Sequence, residues 1–282
     1  MSPWLQPRPG RTYLAGAPML VAHRGGALLA PENTLVAFRL ARELWRSDML
    51  EMDARLTRDG QVVVIHDASV DRTTDGTGLV SDLTLGEIQS LDAGYRFVDL
   101  EGVHAFRGKG VAIPTLEEVL LAFTDARINV ECKEPAVAGP LAEVVARHRA
   151  EDRVLVAAER EASRRGAAGY SGPRGASLHQ GLLFWLFHRL PGGSPYTPAA
   201  DIFQVPEYWK GLRVVTRRFI REAHRLNIPV QVWTVNELED MRRLLDWGVD
   251  GIQTDRPDLL AALLTEVAGR PVAPGLARGS PA

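Results

Sequence analysis

The chain of 282 residues contains a single cysteine, Cys132, so no disulfide can form within it. It has no apolar run near the roughly 18 residues of a membrane span, and its first residues lack the apolar core of a signal peptide. The net charge of −2 leaves no basic excess of the kind that nucleic-acid binding requires. These absences predict a soluble cytoplasmic protein without a nucleic-acid partner.

The composition that remains is that of a globular protein. Hydrophobic residues make up 45% and charged residues 24%, which is enough apolar material for a sizeable core. Residues 1–17 and 268–282 are rich in glycine and proline, and we expect both to be poorly ordered ends. Residues 18–267 are predicted to form a single domain, and no obligate protein partner is indicated.

Strand-like and helix-like segments alternate along this domain. The apolar, β-branched segments are 19–23, 48–56, 61–66, 127–133, 154–157, 230–235 and 251–253. With a further apolar strand around Gln204, about eight strands alternate with helices, which predicts a parallel sheet and best fits a TIM (β/α)8 barrel. A doubly wound open sheet is the alternative. Residues 67–113 break the rhythm and predict an insertion after the third strand.

Charged residues alternate with apolar ones in two of the predicted strands. Glu51 and Asp53 flank Met52, and Glu131 and Lys133 stand in the same i, i+2 relation, so each pair shares one strand face. In a barrel these charges point inward, and buried charges need a partner or a metal. Three carboxylates at one end of a barrel suit a hard divalent cation. The alternative is a structural salt-bridge network with Arg24 or Lys133.

Two histidines stand where predicted strands end. His23 is followed by Arg24 after the first strand, and His66 is followed by Asp67 after the third. Catalytic groups of barrels lie at these carboxyl ends. Two imidazoles, two cations and a carboxylate-bound metal together describe a phosphoryl site, in which one imidazole takes a proton and the other donates one.

Short motifs in a fixed order make the sequence resemble the glycerophosphodiester phosphodiesterase family over about residues 19–262. The motifs are His23-Arg24-Gly25, Pro31-Glu32-Asn33-Thr34, Glu51-Met52-Asp53, His66-Asp67, Arg72-Thr73-Thr74-Asp75-Gly76, Leu91-Asp92-Ala93-Gly94, Trp233-Thr234-Val235-Asn236 and Asp250-Gly251-Ile252-Gln253-Thr254-Asp255. A departure lies at 157–159, where Ala-Ala-Glu stands in place of the Ser-Phe of many members. That departure bears on the shape of the pocket.

The resemblance implies a TIM barrel that hydrolyses glycerophosphodiesters to glycerol 3-phosphate and an alcohol. By position it implies the following roles: His23 and His66 as the acid/base pair, Arg24 and Lys133 as phosphate ligands, Trp233 on the glycerol side, and Glu51, Asp53 and Glu131 as ligands of Ca²⁺ or Mg²⁺. The nucleophile is water or a hydroxyl of the substrate glycerol.

Two other functions are compatible with the sequence. One is a sphingomyelinase D-like or lysophospholipase D enzyme of the same superfamily, and another is a catalytically silent barrel that binds phosphodiesters. The apolar run 182–187 bears on the choice. It predicts either a helix packed on the barrel or an apolar lip that contacts a lysophospholipid or a membrane surface.

Overall fold

The computed structural model describes residues 4–5, 12–167 and 169–277. Seven parallel strands form a curved sheet in the order β5-β4-β2-β1-β10-β9-β6. These strands are β1 (Met19–Ala22), β2 (Met49–Leu56), β4 (Arg127–Cys132), β5 (Val154–Ala157), β6 (Phe203–Pro206), β9 (Val230–Trp233) and β10 (Gly251–Thr254). The predicted barrel fold is confirmed.

Helices follow most of the parallel strands, as the alternation predicts. They are α1 (Leu35–Glu43), α2 (Leu85–Gln89), α3 (Leu116–Ala122), α4 (Ala138–Arg147), α5 (Glu161–Gly166), α6 (Leu178–Phe187), α7 (Arg217–Arg225), α8 (Leu238–Trp247), α9 (Pro257–Ala268) and α10 (Pro274–Ala277). The local sequence fixes where several of these helices begin. The side chains of Thr84, Thr115 and Ser177 each form a capping box with the residue three positions on.

The sheet closes through a short segment at 173–176. The amide of Gly175 donates to the carbonyl of Val156 on β5 (3.1 Å), and the amide of Ala176 donates to the carbonyl of Ile202 beside β6 (3.0 Å). Both contacts are parallel bridges, so this segment occupies the eighth strand position. A Cβ atom at Gly175 would lie 3.0 Å from the Oε1 atom of Gln204, so a larger residue would crowd the closure.

The third strand in the chain differs from the expected parallel order. Strand β3 (Val62–Val64) pairs antiparallel with β2. The cause is the Arg58-Asp59-Gly60 turn, because a tight turn returns the chain beside the strand it has just left, whereas a parallel neighbour needs a long crossover. Residues 65–115 follow β3 and include α2, so the insertion lies where it was predicted.

The barrel interior is layered along its axis. Apolar side chains fill the end where the strands begin: Tyr13, Met19, Val21, Met49, Leu155 and Ile202. The next layer is polar. The Nε2 atoms of Gln204 and Gln253 both donate to the Oε1 atom of Gln231, at 3.1 and 3.4 Å. Met52 and Cys132 point outward into the layer between sheet and helices, as predicted for the residues between the charges.

Parts of the two ends are folded against the barrel. Tyr13 is buried in a short 3-10 helix, and its hydroxyl donates to the carbonyl of Ile128 at 3.0 Å. At the other end, Gly275 in α10 packs against the ring of Trp45. Residues 1–3, 6–11 and 278–282, for which poor order was expected, lie outside the described residues. Within the described residues, no helix has the length and apolarity needed to cross a bilayer.

Candidate active site

Strand register brings the predicted acidic residues together. On neighbouring strands β2 and β4, Asp53 lies directly beside Glu131, and Glu51 lies beside Asn129. One carboxylate oxygen from each of Glu51, Asp53 and Glu131 lies within 4.8 Å of the others. Period-two alternation places all three inside the barrel at the carboxyl ends of the strands.

Asp53 is the most heavily paired of the three carboxylates. Its Oδ1 lies 2.9 Å from Lys133 Nζ and its Oδ2 lies 3.2 Å from Arg24 Nε. The Asn33 amide also donates to Oδ2 at 2.8 Å. Burial raises the pKa of Asp53, but Lys133 and Arg24 outweigh burial and the pKa is lowered overall. Asp53 is therefore ionised, and it holds both cations toward the site.

Glu51 is buried beside a second carboxylate. Burial and the neighbouring Asp53 carboxylate raise its pKa to about 7. Its Oε2 atom accepts the backbone N–H of Arg24 at 2.8 Å, and His23 Nε2 lies 4.0 Å away. A carboxylate whose ionised form is this costly favours a further cation, because the cation would offset the repulsion between like charges. The all-oxygen donor set fits Mg²⁺ or Ca²⁺.

His23 is held by a carboxylate that sequence reasoning did not select. Its Nδ1 atom lies 2.7 Å from Asp255 Oδ1, and the amide of Asn236 donates to the other oxygen of Asp255 at 2.9 Å. Burial lowers the pKa of His23, but Glu51 and Asp255 outweigh burial and raise it above its usual value. The signal for Asp255 was its place at the end of the last barrel strand, directly across the sheet from His23.

His66 lies at the mouth of the site and belongs to a chain of polar contacts. Its Nδ1 atom lies 2.7 Å from Asp67 Oδ1, and Arg72 bonds both Asp67 and Glu32. The Glu32 carboxylate in turn lies 3.1 Å from Arg24 Nη1. The insertion thereby fixes the orientation of His66 and supports the arginine beneath it.

One cavity of about 410 Å³ opens on these groups. Seven of the predicted site residues line it, namely His23, Arg24, Glu51, His66, Glu131, Lys133 and Trp233. Asp53 does not line the cavity: it is 1% exposed and paired with Lys133, which does. Arg24 and Lys133 do pair with Asp53, as the alternative of a structural salt-bridge network predicts. Both cations also line the cavity, so they are accessible to a ligand. The arrangement can bind an anion, hold a cation and move protons at two imidazoles.

Residues 23–259 match the model of the glycerophosphoryl diester phosphodiesterase family. A glycerophosphodiester phosphodiesterase of Caldanaerobacter subterraneus is 34% identical over 259 residues, which cover 87% of this chain and 97% of the relative. One from Bacillus subtilis is 32% identical over 265 residues, which cover 86% and 84%.

Solved structures show the same fold. A glycerophosphodiester phosphodiesterase from Agrobacterium tumefaciens superposes with a TM-score of 0.69 at 27% identity, covering 86% of this chain and 99% of the other. A phosphodiesterase from Oleispira antarctica, solved with the product sn-glycerol-3-phosphate, has a TM-score of 0.71 at 24% identity, covering 88% and 97%.

Proposed function

This chain belongs to the glycerophosphoryl diester phosphodiesterase family and is a phosphodiester hydrolase, and we propose that it splits glycerophosphodiesters into sn-glycerol 3-phosphate and an alcohol by acid/base catalysis with two histidines and a divalent cation. The observation that carries the mechanism is one cavity lined by His23, His66, Arg24, Lys133 and the acidic cluster.

Glu51, Asp53 and Glu131 would hold the cation, either Ca²⁺ or Mg²⁺. Support comes from the closeness of their oxygens and from the raised pKa of Glu51, which has its causes in burial and in the neighbouring Asp53 carboxylate. When bound, such an ion supplies Lewis-acid polarisation of a phosphate oxygen.

Arg24 and Lys133 would bind the phosphate. Both are mostly buried, with side chains 17% and 14% exposed, so their positive charge acts in a medium that screens it less than water does. Their bonds to Asp53 fix them before substrate arrives. Charge that develops on the phosphate oxygens in the transition state then meets donors that need no reorientation.

His23 and His66 would move the protons. One imidazole accepts the proton of the attacking hydroxyl as its oxygen bonds to phosphorus, and the other donates a proton to the departing alcohol as its P–O bond breaks. The attacking hydroxyl belongs to water, or to the substrate glycerol by way of a cyclic phosphate. Phosphorus NMR of the first product separates the two routes.

Removing divalent cations should lower glycerol 3-phosphate release from glycerophosphocholine by more than about 100-fold, because several kcal/mol of charge stabilisation are lost. The protein is treated with EDTA and assayed after adding back Ca²⁺ or Mg²⁺ separately. The ion that restores turnover identifies the cofactor.

Calorimetric titration with each ion gives a readout that does not depend on turnover. Glu131→Gln should weaken binding of the restoring ion, whereas Glu143→Gln, on the exposed side of α4, should leave it unchanged. Full activity in EDTA together with no measurable ion binding would exclude the metal proposal.

Asp255→Asn should lower kcat by about 10–100-fold and change KM and thermal stability little. The carboxylate holds His23 through a charge-assisted hydrogen bond, and such bonds contribute about 1.5–3 kcal/mol. Its effect is on the orientation and charge of the imidazole, so we class Asp255 as a positioning residue.

The matched control is Asp258→Asn, which alters a carboxylate paired with Arg256 (2.7 Å) on the neighbouring turn. It should leave kcat within about twofold. A rise in KM or a fall in thermal stability that accounts for the whole loss in Asp255→Asn would point to a structural role instead.

A further inference from the structure

We propose that the outer wall of the active-site cavity binds a fatty acyl chain, so that the preferred substrates are glycerophosphodiesters with one acyl group on the glycerol, namely lysophospholipids. This inference rests on the proposed function and names the substrate class for that site. The wall, here called the acyl groove, consists of Leu178, Leu182, Trp185, Trp209, Leu212 and Val214.

Helix α6 supplies one side of the acyl groove. Leu178, Leu182 and Trp185 recur at helical spacing and line the cavity, whereas Phe184 points the opposite way and is fully buried against the barrel. Leu178 and Leu182 remain 47% and 42% exposed. The helix is therefore anchored by one face while it presents leucines on another. The packed-helix interpretation of the run 182–187 describes the face of Phe184, and contact with a lipid is our proposal for the face of Leu182.

A small hairpin supplies the other side. Strands β7 (Tyr208–Trp209) and β8 (Leu212–Arg213) pair antiparallel above the mouth of the barrel. Trp209 and Leu212 are 39% and 53% exposed although both line the cavity. The indole N–H of Trp185 donates to the carbonyl of Arg213 at 3.3 Å, which ties the hairpin to α6.

The acyl groove is continuous with the site of chemistry. Trp233, at the end of β9, lines the same cavity as the charged groups and the leucines, and so does Pro206, which pairs with it across the strands. A substrate whose phosphate is held at Arg24 and Lys133 therefore has one end directed along an apolar wall. Free glycerol gains little from the leucines of this wall, because its hydroxyl groups need polar partners.

An acyl chain is the occupant that best fits this wall. The cavity of about 410 Å³ is in the range of drug-sized ligands and exceeds what a glycerol phosphate group occupies. Exposed apolar side chains grouped beside a polar site mark a binding surface. Glu159 also lines the cavity, and it offers a polar contact to the head group.

The test is a chain-length series of substrates kept below their critical micelle concentrations. Choline release is measured from glycerophosphocholine and from its hexanoyl, octanoyl and decanoyl esters. Hydrolysis adds water across the P–O bond to choline and leaves glycerol 3-phosphate or its acyl ester. We expect kcat/KM to rise by up to about fourfold for each methylene group that enters the groove, and then to level off.

Two variants tie the effect to the acyl groove. Leu182→Gln and Leu212→Gln should each lower kcat/KM for the octanoyl ester at least tenfold more than for glycerophosphocholine. Leu190→Gln, at a leucine of similar exposure (43%) that does not line the cavity, should alter neither. Because all three leucines are exposed, none of the changes removes core packing.

The outcomes separate this inference from the function on which it rests. Turnover of glycerophosphocholine with no chain-length dependence overturns the acyl groove alone. A rise that occurs only on micelles or vesicles also overturns it and assigns the leucines to contact with a lipid surface. Absence of turnover for every substrate, with metal supplied, overturns both.

Discussion

His23→Gln should lower kcat for glycerophosphocholine by about 10²–10⁴-fold, the range for loss of a general acid or base. Glutamine keeps a polar side chain of similar length but cannot exchange a proton near neutral pH. The imidazole is mostly buried, lies 2.7 Å from Asp255 and faces the cavity, so nothing else at that position in the structure replaces it. Steady-state kinetics with metal at saturation measures the loss.

The neighbouring histidine provides a comparison within the site. His66→Gln should cause a loss in the same range, and the double variant should lose less than the product of the two because the residues act in one reaction. His104→Gln, at an exposed histidine of the insertion, should be fully active. Wild-type kcat in both His23→Gln and His66→Gln, with metal binding intact, would refute the assignment of these residues as acid and base.

Phe184→Ala should lower the free energy of unfolding by about 3–5 kcal/mol, the cost of removing a large aromatic side chain from a core. Phe184 is fully buried, and its ring centroid lies 4.6 Å from that of Phe203 and 5.0 Å from that of Phe219. The ring connects α6 to the sheet through Phe203 and to α7 through Phe219. Because the sheet and α7 are held in place, they cannot close the void that the substitution leaves.

Urea denaturation measures this effect as a lower midpoint with an unchanged slope. Leu186→Ala, two residues along the same helix and 51% exposed, should change the free energy of unfolding by less than about 0.5 kcal/mol. Equal effects of the two changes would mean that α6 does not pack as the structure describes. Phe184→Ala should also weaken hydrolysis of acylated substrates, because α6 carries one side of the acyl groove.

The charged floor of the site was predictable from local sequence. Glu51 and Asp53 alternate with an apolar residue in a strand, and so do Glu131 and Lys133, so their common face follows from strand geometry alone. His23 was predictable because it directly follows the first, parallel strand of the barrel. His66 was expected at the end of a parallel strand, but β3 is antiparallel to β2, and it is this antiparallel return that brings His66 to the cavity. These inferences needed only short stretches of chain, and the structure places all of these residues around one cavity.

Contacts between distant parts of the chain were not predictable in this way. Asp255 is 232 positions from His23, and only barrel closure, which pairs β1 with β10, makes them neighbours. The strand position at 173–176 has almost no apolar pattern. It pairs as a strand because the edges of β5 and β6 leave backbone groups that must be satisfied.

The amino-acid sequence determined the alternation of strands and helices, the inward direction of the carboxylates and the place of His23 at a strand end, because these follow from periodicity and turn chemistry. Tertiary structure decided which face of α6 is buried, since a run such as 182–187 is apolar on every side. The aromatic cluster takes Phe184 inward, and Leu182 is left facing the cavity. Composition alone does not tell which residues of this run belong to the core and which to the acyl groove. Packing against particular neighbours decides it.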